Sequence, residues 1–320
     1  MKNIFICLTF DTDPDISFNT NQIDSKNKKI VGWEGLEVGK NLIYNSIKKI
    51  ERKYKIKIPQ SWFVRVDDQI KFCHNRSDWL LIKFQKFWKK ILDNRGSIEW
   101  HIHLNRRKNY NEGWILETNH KIINKIIKKN LKIFKFHHNL NCIRIGEAFM
   151  TNEIAKLIYK LGIRADSSCL PGRKRTDELK FFDWSNAKNE PYFMSRSNYQ
   201  NTVKLKKKKL LEIPMNTKLT KCSYDKNYLK RYINLSFHKK YFNQNLENFL
   251  KEKNFLVTMT HPYEIVKKFK NKKNSKLISF SYDEFQKNLN NIILTCKKIK
   301  KNPIFVNTQD LIQIIQTKYD

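Results

Sequence analysis

The sequence predicts an α/β fold built as a distorted (β/α) barrel of seven to eight strands, and two observations carry that expectation. Short apolar runs alternate with longer amphipathic ones along all 320 residues, and acids, histidines and an arginine gather where the apolar runs end. Strand-like runs fall at 4–10, 61–66, 96–104, 142–145, 210–214, 255–260 and 303–307, with a short one at 162–165. Helical periodicity covers 36–54, 78–94, 117–130, 151–161, 228–252, 282–300 and 308–318. Asp78 and Thr151 are placed as N-caps, because short oxygen-bearing side chains accept from the first free amides of a helix. Gly162 stands where a helix ends in left-handed backbone. The stretches 15–33, 173–205 and 267–276 are the least regular, and the latter two are read as long loops. No internal repeat or linker-like composition appears, so residues 1–320 are read as one catalytic domain.

Hydrophobic residues make up 40% and aromatics 13%, which suits a packed core and excludes a disordered chain. No apolar run approaches the roughly 18 residues of a membrane helix. The opening MKNIFICLTFDTDPD puts acids where a signal peptide needs small residues, so a cytoplasmic protein is expected. The net charge is +34, from 64 basic and 30 acidic residues. Alone, that suggests a nucleic acid or anionic membrane. The basic residues, however, are 52 Lys and 12 Arg, beside 35 Asn, 37 Ile and 4 Ala. Lys, Asn and Ile have A/T-rich codons, so base composition accounts for the excess. Arg, the residue that forks onto phosphates and bases, is scarce. No specific nucleic-acid partner is therefore expected, while a positive surface still favours anionic substrates. The six cysteines form no C-x-x-C and no finger-like cluster, which fits reduced thiols, with Cys7 and Cys142 as small core residues.

In β/α barrels chemistry collects at the ends of the strands. The first apolar run leads into Asp11, Thr12 and Asp13, and the second into Asp67 and Asp68. The third carries His101, His103 and Asn105, the fourth Arg144, the short one Asp166, and the run at 255–260 leads to His261. Residues two apart in extended chain share a face. Asp11 and Asp13 can therefore point into one mouth, where two carboxylates repel unless a cation or proton lies between them; an ordinary Asp-x-Asp-Pro turn is the plainer alternative. His101 and His103 show the same relation, and two imidazoles so placed can share a zinc ion. His74, His120, His137, His138 and His238 lie in amphipathic or loop contexts and are read as surface or structural residues.

Together these segments resemble the polysaccharide deacetylase family, the NodB-homology group of carbohydrate esterase family four, over nearly the whole chain. Thr9-Phe10-Asp11-Thr12-Asp13-Pro14 is similar to the family's Thr-Phe-Asp-Asp-Gly-Pro motif, in an Asp-x-Asp form. His101-Ile102-His103-Leu104-Asn105 stands at its His-x-x-x-His motif, with Asn in the last place and an extra His between. Arg144-Ile145-Gly146 keeps the Arg of its Arg-x-Pro-x-Gly motif. Leu211-Glu212-Ile213-Pro214 resembles the late strand ending in Ile-Pro, and Met259-Thr260-His261-Pro262 the fifth motif. The resemblance implies a metal-dependent hydrolase that removes an acetyl or formyl group from an amido sugar in surface-glycan metabolism. It implies one divalent metal, commonly zinc, on Asp13 and His101, with His103 or Asn105 completing the set. Asp11 is then the general base, His261 the general acid, and Arg144 the group that orients Asp11. Asp166 and Asp183 are candidates to tune His261 or Arg144. Trp33, Trp62, Trp184 and Tyr192, with Asp166, are candidates to line a sugar site; core packing is the alternative for each aromatic. An anionic or lipid-linked carbohydrate substrate fits the charge. The altered second and third motifs leave open a catalytically degenerate barrel that binds a glycan or a partner, and the charge leaves open a nucleic-acid-binding protein.

Overall fold

A computed structural model describes residues 2–15, 32–107, 113–176, 181–203, 209–270 and 274–319. The irregular stretch at 15–33 and the lysines at 206–209 fall mostly outside them. Eight strands form a curled sheet in the order Tyr192–Phe193, Leu211–Glu212, Ala165–Asp166, Cys142–Ile145, Ser97–Ile102, Gln60–Arg65, Lys2–Asp11, Phe255–Thr260. A ninth, Lys301–Phe305, pairs with the first half of Lys2–Asp11. Every pairing is parallel except that of Tyr192–Phe193 with Leu211–Glu212. The crossover segments carry helices, as parallel strands require.

Period-two alternation sorts each central strand. Ile4, Ile6, Leu8 and Phe10 join Trp62, Val64, Ile98, Trp100 and Ile102 in one large cluster with the helices. Cys7, Phe63 and Cys142 face the other way, into the curl. There the helix Thr308–Tyr319 presents Leu311, Ile312 and Ile315 to Leu211 and Val257 as an apolar plug. The register then builds rows across the inner face. Asp11 stands opposite Phe63, and Phe63 opposite Glu99; one step further along, Arg65 stands opposite His101, and His101 opposite Arg144. The polar row is thus set at the carboxyl ends of the strands by strand alternation alone.

Glu99, just beneath that row, is fully buried, and its Oε2 accepts the Cys142 amide at 3.0 Å. Burial, against the pull of that bond, pushes its carboxyl up from 4.5 to about 8. The folded state then holds a proton that the unfolded chain releases. The associated stability is present below pH 4.5 and is lost as pH rises through about 8, at up to about 1.4 kcal/mol per pH unit. Glu99→Gln is expected to flatten the fall in melting temperature between about pH 5 and 8. An unchanged slope in calorimetry rules out a neutral Glu99.

The structure corrects several expectations. The sheet is a curled half-barrel, and no ladder joins Phe255–Thr260 to Tyr192–Phe193 among the described residues. Single bonds cross that gap instead: the Asn216 amide donates to the Val257 carbonyl at 3.1 Å, and the Val257 amide donates to the Asn216 side chain at 2.6 Å. Pro214, which lacks an amide hydrogen, ends the ladder just before. The helix expected at 228–252 is a strand, Leu229–Tyr232, followed by short helices Lys239–Phe242 and Leu246–Glu252. Asn234 interrupts it, its Oδ1 accepting from the Ser236 amide and from Thr260. The helix expected at 78–94 breaks at Phe84 into Trp79–Lys83 and Gln85–Asp93. Asp78 does not cap it; its carboxylate is held by Arg76 and His137. Thr151 does cap Asn152–Lys160, through the Ile154 amide, and Gly162 has φ +87°.

Candidate active site

The strand ends meet around a cleft of 340 Å³ whose walls include Asp11, Asp13, Arg65, His101, His103, Arg144 and His261. Arg144 is buried and held from several sides. Its guanidinium donates to Asp11 Oδ1 at 2.5 Å and to Thr9 Oγ1 at 3.0 Å, and to the Ser167 carbonyl and hydroxyl at 2.8 Å each. It lies 3.9 Å from the Phe63 ring centre. Four fixed donations and a ring face hold this cation in one place, so Asp11 sits beside a permanent positive charge in a water-poor site.

Asp13 follows two residues later. His101 Nε2 lies 3.5 Å from its Oδ2, His103 Nε2 lies 3.4 Å from its Oδ1, and the two Nε2 atoms are 3.2 Å apart. The edge of a tetrahedron with bonds near 2.0–2.1 Å is about 3.3 Å, so three donor atoms at these separations suit one zinc-sized ion. The protonation states agree. His101 Nδ1 donates to the Arg144 carbonyl at 2.8 Å, which leaves the Nε2 lone pair facing Asp13. Burial and the neighbouring Arg65 push His103 down, despite Asp13, so the ring is neutral at neutral pH. The Asp13 carboxylate is met by the Arg65 guanidinium, which donates to its Oδ1 at 3.1 Å. Asp13, His101 and His103 thus form a candidate metal site.

His261 closes the cluster from the opposite strand. Its Nε2 lies 3.2 Å from Asp13 Oδ2 and its Nδ1 3.3 Å from Glu264 Oε1. Burial alone lowers its basicity, yet Glu264 and Asp13 outweigh that and raise its pKa well above the ordinary value. Glu264 is fixed in turn, because its Oε2 accepts from Asn234, Ser236 and the His261 amide. His261 is therefore a cationic donor facing the cleft.

No family model and no curated protein sequence matches the chain. A solved structure does. A Mycobacterium smegmatis protein classed as a polysaccharide deacetylase superposes with a TM-score of 0.57 at 10% identity, over 99% of this chain and 91% of that one. The fold is that of a polysaccharide deacetylase. A CE4 family pseudoenzyme from Bacillus anthracis is more distant, at 8% identity and a TM-score of 0.39, over 97% of this chain and 65% of that one.

Within this deacetylase fold several expected substrate residues lie elsewhere. Trp184 is fully buried, its indole donating to the Ala148 carbonyl, and Trp62 is buried against Trp88 and Phe87. Trp33 is buried and donates to His74, away from the cleft walls. Tyr192 is buried and bonded to the Tyr199 carbonyl. Asp166 lies beneath Arg144, bonded to Ser168, and burial raises its pKa. Asp183 sits on a surface hairpin between Lys174 and Ser185. For Trp33, Trp62, Trp184, Tyr192 and Asp166 the cause is burial: large rings and carboxyls near the mouth also fill the core around it. The aromatic faces that do line the cleft are Phe182, Tyr232 and Tyr263.

Asn105 does not line the cleft; it pairs with Leu116 in the hairpin of Asn105–Arg107 and Trp114–Leu116. Beyond those aromatics, two further residues of the site were missed in the sequence. Arg65 donates to Asp13 at 3.1 Å, to Asp67 at 2.8 Å and to Gln69 at 2.6 Å. Asp67 also accepts the His103 amide at 3.2 Å and caps the helix Asp68–His74. Arg65 therefore braces the Asp13 carboxylate of the candidate metal site, and Asp67 braces the backbone that carries the His103 imidazole. The period-two face Ser61, Phe63, Arg65 held the signal. The other is Gly146, against whose backbone the His103 ring packs so closely that a Cβ there meets the ring.

Proposed function

We propose that the chain is a metal-dependent amide hydrolase that removes an acetyl or formyl group from an amido sugar. The observation that carries this reading is the convergence, in one cleft, of a carboxylate paired with a fixed arginine, three close donor atoms of Asp13, His101 and His103, and a cationic histidine. In this reading a divalent cation, most simply zinc, supplies Lewis acidity to a water and to the substrate carbonyl. Asp11 takes the proton of the attacking water, and Arg144 aims the Asp11 carboxylate. His261, set by Glu264, gives its proton to the departing amine, without which an amide nitrogen is a poor leaving group. Tyr263 and Tyr232 offer flat faces to the sugar ring. His103, and not Asn105, completes the ligand set, since a neutral imidazole binds zinc better than a carboxamide oxygen.

The direct test is metal analysis of the purified protein coupled to acetate and formate release from nucleotide- and lipid-linked amido sugars. Zinc with acyl release from one substrate supports the proposal. Zinc without release from any of them favours a barrel that binds a glycan and does not cleave it. His261→Ala is expected to lower kcat by about 10²–10⁴ at unchanged zinc content, the usual contribution of a positioned acid. A full rate in that variant removes His261 as the acid.

A further inference from the structure

A second concavity, of 590 Å³, opens at the other end of the sheet. It lies among the helix Asn152–Lys160, the residue before the strand Ala165–Asp166, and the turn that follows Tyr192–Phe193. The cleft and this basin are separate. Ser167 holds Arg144 in the cleft, whereas Arg164, three residues earlier, lines the basin; extended chain places ~10 Å between them.

The basin floor is apolar and buried, made by Ala155, Met194 and Leu210. Around it stand Lys156, Lys160, Arg164, Arg196 and Lys209, and no carboxylate lines it. Among the described residues none of these five is in an ion pair. Glu153, the nearest acid on the helix, lines a different hollow with His120. Arg164 lies over the Tyr159 ring, 4.9 Å from its centre, so one face of the guanidinium is covered and its N–H edge is left to bind.

The lysine-rich composition explains cations scattered over a convex surface. It does not explain five on the walls of a hollow with an apolar floor, two of them from a set of 12 Arg. Like charges so gathered repel, and a bound anion relieves them. The volume falls in the range of small-molecule sites, ~300–1,000 Å³. No large exposed apolar side chain of the described residues rims the basin. We propose that the basin binds a nucleoside diphosphate, with Arg164, Arg196 and the lysines on the phosphates and the base against the partly exposed Tyr159 side chain. The site is independent of the hydrolytic cleft.

Calorimetric titration at physiological ionic strength tests this with ADP, UDP, inorganic pyrophosphate and adenosine. A diphosphate nucleotide is expected to bind, with pyrophosphate and adenosine each weaker by about tenfold or more. The double variant Arg164→Glu/Arg196→Glu is expected to lose nucleotide affinity by about tenfold or more. Arg52→Glu, on a distant helix, is the charge control, and circular dichroism melting checks that each variant folds. No nucleotide binding, pyrophosphate as tight as the nucleotides, or equal affinity in the double variant overturns the proposal; the second outcome means an electrostatic patch without a base site.

Discussion

His103→Ala is expected to empty the candidate metal site, and Asn105→Ala to leave it filled. The two residues compete for one role in the sequence, and the geometry separates them. His103 Nε2 lies 3.2 Å from His101 Nε2 and 3.4 Å from Asp13 Oδ1, while Asn105 is engaged in a hairpin outside the cleft. Removing a ligand should cost more than the roughly 10–100-fold in affinity that losing a ligand's hydrogen-bond partner costs. Equilibrium dialysis against zinc, with the folded state checked by melting, measures both variants. Retention of zinc by His103→Ala and its loss from Asn105→Ala assigns the site to the longer spacing and to a harder cation.

Asp11→Asn is expected to lower turnover by about 10²–10⁴ while zinc stays bound. The amide keeps the shape of the carboxylate but is no base, and Asp11 is not among the three clustered donors. Its Oδ1 is instead taken by Arg144 at 2.5 Å. Measurement of zinc content and acyl release on the same sample decides the roles of the two aspartates. Loss of zinc together with activity exchanges them.

What was legible in the sequence followed from periodicity. Two-residue spacing put Asp11 with Asp13 and His101 with His103, and the ends of apolar runs put Arg144 and His261 at the same mouth; the structure brings all six into one cleft. Side-chain type misled where burial decides. Trp33, Trp62, Trp184 and Tyr192 read as sugar platforms because aromatic rings serve both purposes, and only the packing shows them inside. Local pattern also failed at residues 228–252, where Leu229, Tyr232 and Ile233 mimic a helical stripe. The long-range bonds of Asn234 to Thr260 and Glu264 override it. Arg65 escaped notice because its partners are Asp13, 52 residues away, and Asp67, on the loop it leads into.

The close seat of His103 on Gly146 has an evolutionary side. Gly146 opens a turn in which Glu147 and Ala148 both take left-handed backbone, with φ of 59° and 54°. That turn is also a wall of the cleft. One wall of the substrate cavity and one metal-site imidazole are therefore a single mechanical part, and an insertion or bulkier residue at the turn shifts both. New substrate preferences cannot arise there without disturbing the histidine. They have a freer route through the neighbouring hairpin of Lys174–Thr176 and Phe181–Asp183, which packs against the turn and brings Arg175 and Phe182 to the cleft. Divergence among proteins built like this one should accumulate on the hairpin and spare the turn.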